Sequence, residues 1–289
     1  MSFAADSWVT TSVGAFQLGS LPVRATSLML GRLHFPFTAK PTQRRRCVTL
    51  TTKAGYEITV AEDQRLFALV YNGVPAEAEA QWLKPGLLLA LDDQRGEYSG
   101  EGCWDAGFLS GCAAAPSHRI EGAALSGKVQ ECLEIFGVPT LKDFRECSSK
   151  DPERGTSAAF VAGYISGLCN VSAIMDPEIG EYSVSFRRSL PTLKMLQRMF
   201  LRHGIRSHLN PRDDMPDIVI PVTAIDALAK EVQWFHPRRA AQFASLHGRP
   251  PLKHQDEIVS IVPAGVRDVV TVSSGYVGRA TVNGFLCVA

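Results

Sequence analysis

The apolar positions change their period twice along the chain. Over the first hundred residues they alternate in short runs: Val48-Thr49-Leu50-Thr51-Thr52, a turn at Lys53-Ala54-Gly55, alternation again from Tyr56 to Val60, and an apolar run from Leu66 to Tyr71 before Asn72-Gly73. β-Branched residues at a spacing of two, bounded by Gly and Asn, predict short strands, and Leu87 to Leu91 is short enough for a buried one. From about residue 100 the period becomes helical. Ser189 suits an N-cap with Pro191 in the first turn, Leu193, Leu196 and Phe200 follow on one face, and Gly204 after His203 suits the C-terminal cap. Ile205 to Leu209 and Ile218 to Val222 read as strands, and Thr223 to Val232 as a further helix. After Gly248-Arg249-Pro250-Pro251 the alternation returns at Glu257 to Val262, Asp268 to Ser273, Gly278 to Val282 and Phe285 to Val288. The pattern predicts a mixed fold: an all-β domain over 1–100 and 251–289, split by an α+β insert over 101–250. It also predicts that the two chain ends lie in neighbouring strands.

Two segments of the insert repeat each other. Ala106-Gly107-Phe108-Leu109-Ser110-Gly111 and Ala162-Gly163-Tyr164-Ile165-Ser166-Gly167 share the order Ala, Gly, aromatic, aliphatic, Ser, Gly. Glycine inside a helix costs about 1 kcal/mol relative to alanine. Glycines four apart lie on one helix face, so two such pairs predict two helices packed backbone to backbone.

Composition changes this picture little. The chain has 289 residues, 45% hydrophobic and 20% charged, with a formal net charge of +1, which fits a soluble globular protein and gives no overall attraction to nucleic acid. No apolar run approaches the ~20 residues of a membrane span and no signal segment opens the chain, so neither a membrane nor secretion is expected and an intracellular location is. Seven cysteines without a C-x-x-C pair predict buried thiols rather than disulfides or a zinc ribbon. The seven histidines are scattered and suggest no metal site. Charge is uneven, however: residues 186–250 hold eleven Arg and Lys against five Asp and Glu, and Arg44-Arg45-Arg46 form a second cluster. Arg187, Arg188, Lys194, Arg206 and Arg212 are the candidates for phosphate contacts if DNA or RNA binds the 186–250 region.

The glycine segments and the text after them, Tyr182-Ser183-Val184-Ser185 and the helix closing at Arg202-His203-Gly204-Ile205, resemble a LAGLIDADG homing endonuclease. The resemblance implies two pseudo-symmetric motif helices with an acidic residue at the foot of each that holds a divalent metal. Those positions carry Cys112 and Leu168 here. Mg²⁺ demands hard oxygen donors, so the family's metal site is expected to be lost and no cofactor is expected.

The flanks resemble the Hint splicing domain of an intein, closest in texture to those of ribonucleotide reductases. Ser2-Phe3-Ala4-Ala5-Asp6-Ser7 looks like an intein opening, Gly55-Tyr56-Glu57-Ile58 with Val60-Ala61-Glu62-Asp63-Gln64 like the stretch ending in T-x-x-H, Trp82-Leu83-Lys84-Pro85-Gly86 like a third block, and Val282-Asn283-Gly284-Phe285-Leu286 like the closing one. By this resemblance Ser2 is the N-terminal nucleophile and the flanking exteins are partners. Its helpers are missing. Ala61 and Gln64 occupy the T-x-x-H threonine and histidine positions, Val288 the penultimate one, Ala289 the terminal asparagine's, and Gly278 that of a further histidine. Two readings follow. In the first, a degenerate or domesticated intein, inactive as an endonuclease, is kept as a nucleic-acid-binding or structural element, for instance in a ribonucleoprotein. In the second, a splicing intein uses Ser2 but is trapped or attenuated by Ala289 and the absent histidines.

Overall fold

The computed structural model describes every residue except 42–43, 70–74, 115–119, 121, 148–150, 177–182, 212–214, 245–254, 275–277 and 289. The first ninety residues form β1 (Ser2–Ala4), β2 (Trp8–Thr11), β3 (Gly14–Gln17), β4 (Ser27–Leu30), β5 (Leu33–Pro36), β6 (Thr38–Pro41), β7 (Arg45–Thr52), β8 (Glu57–Ala61), β9 (Arg65–Leu69), β10 (Pro75–Glu79) and β11 (Leu88–Ala90). Helices α1 (Trp104–Ala113), α2 (Ala123–Ile135), α3 (Leu141–Cys147) and α4 (Ala158–Ser172) follow. Next come β12 (Ile174–Asp176), β13 (Ser183–Arg187), α5 (Leu190–Arg202), β14 (His208–Asn210), β15 (Asp217–Ile220), α6 (Ile225–Glu231) and α7 (Pro237–Ala244). The chain closes with β16 (Gln255–Arg267), β17 (Val269–Ser273), β18 (Arg279–Val282) and β19 (Phe285–Val288).

The outer strands make one long antiparallel sheet in the order β5-β4-β2-β18-β19-β9-β11-β16-β7-β8-β1-β17-β6, with β3 beside β2 and β10 beside β9. Strands from both ends of the sequence interleave in it, which only a fold completed by the C-terminus permits. Its inward positions, among them Phe3, Leu50, Ile58, Leu66, Val282 and Phe285, form one core. β16 runs from β11 to β7 and is longer than its alternation predicts. Register shifts at Ile258/Ser260 and Pro263/Gly265 let it continue past a proline and a glycine that read as breakers in sequence.

The helical segment has its own cores. A second sheet, β12-β13-β15-β14, belongs to its later half; among the described residues the stretch from α1 to α3 forms no strand. The two glycine helices therefore carry unlike halves. The strand expected at 205–209 is only His208–Asn210, because the chain first leaves α5 through Gly204 at φ 75°. Ser189 is the N-cap of α5, but its hydroxyl meets Thr192 Oγ1 at 2.9 Å rather than a backbone amide.

α5 joins the two parts. Leu193, Leu196, Met199 and Phe200 enter the helical core, whereas Leu201 enters the β core. Gln197 Nε2 donates to Ala54 O at 2.7 Å and Lys194 pairs with Glu57 at 2.6 Å. Glu153, 1% exposed, is chelated by Arg198 (2.9 and 2.6 Å) and also bound by Arg202. No helix among the described residues is long and apolar enough to cross a membrane.

Candidate functional site at the chain ends

The two ends do not lie in neighbouring strands, contrary to the expectation from the alternation. β1 sits between β8 and β17, and β19 between β18 and β9. One side chain from the β8–β9 turn joins them. Gln64, 4% exposed, accepts the Ser2 N–H on Oε1 at 2.6 Å. Its Nε2 donates to Val288 O at 2.8 Å and to Arg65 O at 2.7 Å. Among the described residues the acceptor faces a donor and both amide protons face carbonyls, so the orientation of the amide is determined by its partners. The turn itself is held by Gln64 N–H to Ala61 O at 2.9 Å and Ala80 N–H to Gln64 O at 2.8 Å.

Ladder pairing fixes the Met1–Ser2 peptide bond. Ser2 opposes Thr271, and Met1 exchanges both backbone bonds with Val272: Val272 N–H donates to Met1 O at 2.7 Å and the Met1 nitrogen donates to Val272 O at 3.0 Å. Burial draws the Met1 ammonium below its ordinary pKa. Ser2 Oγ lies 3.2 Å from Thr271 Oγ1 and accepts from Arg45 Nη1 at 3.3 Å. Arg45 Nη2 is anchored on Asp63 at 2.6 Å. An open pocket of about 190 Å³, lined by Met1, Ser2, Arg45, Asp63, Gln64, Arg65 and Val288, exposes this assembly.

The C-terminal hairpin is positioned by Asn283-Gly284. With φ of 49° and 85° these residues make the two-residue turn that Asn-Gly favours between strands paired at Val282 and Phe285. Asn283 Oδ1 accepts from Trp8 N at 2.6 Å and its Nδ2 donates to Glu57 O at 3.1 Å, tying the hairpin to β2 and β8. Val288 thereby reaches Gln64. Ala289 lies outside the described residues. Ala61 is fully buried and has no hydroxyl to offer. Gly278 has φ 59°, a conformation in which a histidine would be strained.

At the helix pair, Cys112 and Leu168 are 0% and 1% exposed. Burial, helped by nearby Cys132, pushes the Cys112 thiol up to about 12. Arg239 donates to Cys169 O at 2.8 Å and Val171 O at 3.0 Å, so a guanidinium occupies the end of α4 where the resemblance would put a metal. Among the described residues no three His, Cys, Asp or Glu side chains are grouped to hold a metal ion. A thiol, a leucine and a cation do not fit Mg²⁺.

The five basic candidates are dispersed. Arg187 is exposed, Arg188 Nη1 donates to Arg187 O at 2.6 Å, and Arg212 lies outside the described residues. Lys194 is paired with Glu57, and Arg206 with Asp93 at 2.7 Å. Arg45 and Thr271, which touch Ser2, were not distinguishable by residue type. Nothing in the sequence separates Arg45 from Arg44 and Arg46, and all three border one open pocket beside Asp63 and Thr271.

No protein-family model matches the chain, and no curated protein matches it. Inteins are among the solved structures similar to it. A gp41-1 intein variant is 8% identical with a TM-score of 0.39, covering 100% of this chain and 98% of that one. An Ssp DnaB mini-intein variant is 10% identical with a TM-score of 0.38, covering 100% and 98%. The Msm DnaB1 intein splicing domain bound with zinc is 20% identical over 29% of this chain and 66% of that one, with a TM-score of 0.23. Similarity at this level says nothing of chemistry, which must come from the side chains.

Proposed function

We propose that this chain is an intein-type protein, with a LAGLIDADG-like helix pair inserted in its β domain, whose splicing chemistry is cut back to a first step: an N–O acyl shift at the Met1–Ser2 bond. The observation that carries the reading is Gln64, which holds the amide of Ser2 and the carbonyl of Val288 on one carboxamide. It brings these two groups, 286 positions apart in sequence, to one buried side chain, as a reaction joining both ends requires.

In the shift, Ser2 Oγ attacks the Met1 carbonyl carbon, the C–N bond breaks, and the hydroxyl proton is returned through solvent to the Ser2 nitrogen, leaving an ester and an amine. Val272 N–H, already on Met1 O at 2.7 Å, would stabilise the oxyanion. The weak point is the leaving nitrogen. Gln64 offers it a lone pair, not a proton, and both Nε2 protons are committed to carbonyls. The shift is therefore slow. Later steps lack their groups, since Val288 has no imidazole and Ala289 no carboxamide to cyclise. The helix pair is a scaffold in this reading, with no metal step, and the nucleic-acid reading finds little support where Lys194 and Arg206 already face acids.

The test is hydroxylamine at neutral pH, which cuts esters far faster than amides, applied to the chain carrying a reporter peptide before Met1 and read at the Met1–Ser2 bond apart from any cleavage at Asn72-Gly73 or Asn283-Gly284. Mass spectrometry should find slow scission between Met1 and Ser2, none in Ser2→Ala, and faster scission in Gln64→His. Intact reporter in both the unaltered chain and Gln64→His would overturn the proposal and leave an inert scaffold.

A further inference from the structure

We infer that Arg45 is a catalytic residue of the acyl shift, the electrostatic activator of Ser2 Oγ in a site without the usual proton donors and acceptors; the inference rests on the reading above. Arg45 touches the reacting atom, with Nη1 3.3 Å from Ser2 Oγ. Its other arm is pinned by Asp63 at 2.6 Å, so the guanidinium is aimed rather than free. Thr271 Oγ1, at 3.2 Å, faces the same oxygen from β17. Either hydroxyl of the Ser2–Thr271 pair can donate to the other, so Oγ keeps a hydroxyl partner while it accepts from the cation.

Arginine keeps its proton at any workable pH and cannot act as the base. What it supplies is a fixed positive charge beside the oxygen that becomes negative as its proton leaves. Ser2 is 6% exposed but the Arg45 side chain is 42% exposed, so the pre-aimed charge acts on a buried oxygen while water screens part of its effect. The 3.3 Å separation has room to shorten as charge develops. After the bond switch the same cation faces the alkoxy oxygen of the ester, draws electrons from it and makes the acyl carbon more open to hydroxylamine. Both effects act in one direction. Arg44 and Arg46 border the same open surface beside Asp63 and Thr271, but Arg44 faces Asp268 at 3.6 Å and the guanidinium bonded to Ser2 Oγ is that of Arg45.

The experiment uses the same reporter-bearing chain and hydroxylamine readout in the unaltered and the Gln64→His backgrounds, with circular dichroism to verify folding. Arg45→Ala should lose roughly tenfold in scission rate, the size of one charge-assisted hydrogen bond partly open to water. Arg45→Lys should fall between the two. Because the pocket is open, millimolar guanidinium should restore part of the Arg45→Ala rate, whereas urea of the same shape and no charge should not. Scission in Arg45→Ala at the unaltered rate would overturn the role of Arg45 and leave the acyl shift standing. A loss that neither lysine nor guanidinium relieves would reduce Arg45 to a structural part and overturn the inference likewise. No scission in either background with Arg45 present would overturn the acyl shift and this inference together.

Discussion

Replacing Gly163 by alanine should destabilise the protein although alanine is the better helix former, because no side chain can be admitted where α1 and α4 cross. The contact is reciprocal. A Cβ on Gly163 would fall inside contact distance of Trp104 O, with Phe108 N at 2.9 Å, and one on Gly107 would meet Phe160 O and C, the latter at 2.8 Å. One turn on, Gly111 meets Tyr164 O with Leu168 N at 2.8 Å, and Gly167 meets Phe108 O with Cys112 N at 2.9 Å. All the neighbours named are backbone atoms of the opposite helix, so no rotamer change makes room and the helices must part by about an ångström to restore ordinary contact. Overpacking of a tight interior costs roughly 1–3 kcal/mol, and the rigid neighbours put this site at the upper end. Setting against this the ~1 kcal/mol that alanine gains in helix propensity leaves a net loss of about 2 kcal/mol. At roughly 2–4 °C per kcal/mol for a chain of this size, Tm should fall by about 4–8 °C. Gly127 in α2 provides the control, since nothing lies within 4 Å of its Cβ position. Gly127→Ala should raise stability by up to about 1 kcal/mol. Thermal and urea melts of both variants decide the matter: Gly163→Ala melting at or above the unaltered chain would refute the close crossing of the helices.

Two further perturbations probe the joint between the halves. Glu153→Gln removes the carboxylate that both Arg198 and Arg202 bind, leaving their partly buried guanidiniums without their shared anion; a urea midpoint should report about 3 kcal/mol lost, and a loss under about 1 kcal/mol would mean that Asp151 or solvent already carries the charge. Glu231, buried and 2.9 Å from His203 Nδ1 and 2.6 Å from Arg95, has a carboxyl that burial would raise but that His203 and then Arg95 hold below its ordinary value. A lowered folded-state pKa means stability that is present above the unfolded value near ~4.3 and is lost as pH falls through the folded one. The stability difference between the unaltered chain and Glu231→Gln should therefore shrink from pH 7 to pH 3, and an equal difference at both would refute the ion pairing.

How much of this was legible in the sequence depended on the distance over which each feature is decided. Alternation at Val48 to Thr52 and the Asn283-Gly284 turn are local, and they placed β7, β8 and the closing hairpin. The glycine pairs were legible for a different reason: glycine inside a helix is locally unfavourable, so its repetition pointed to a partner helix before any partner was seen. For Lys194 and Arg206 the sequence shows a charge but not its neighbour, since Glu57 and Asp93 lie more than a hundred positions away. Gln64 is the sharpest case. Matched to a motif, it was a missing histidine; placed in the fold, it is the bond between the chain's two ends. A carboxamide can hold two backbone groups as a histidine would, accepting on one side and donating on the other, but it cannot change its proton count as bonds break. If the proposed acyl shift operates here, that separation of holding from proton transfer keeps the geometry of the ends while slowing the reaction.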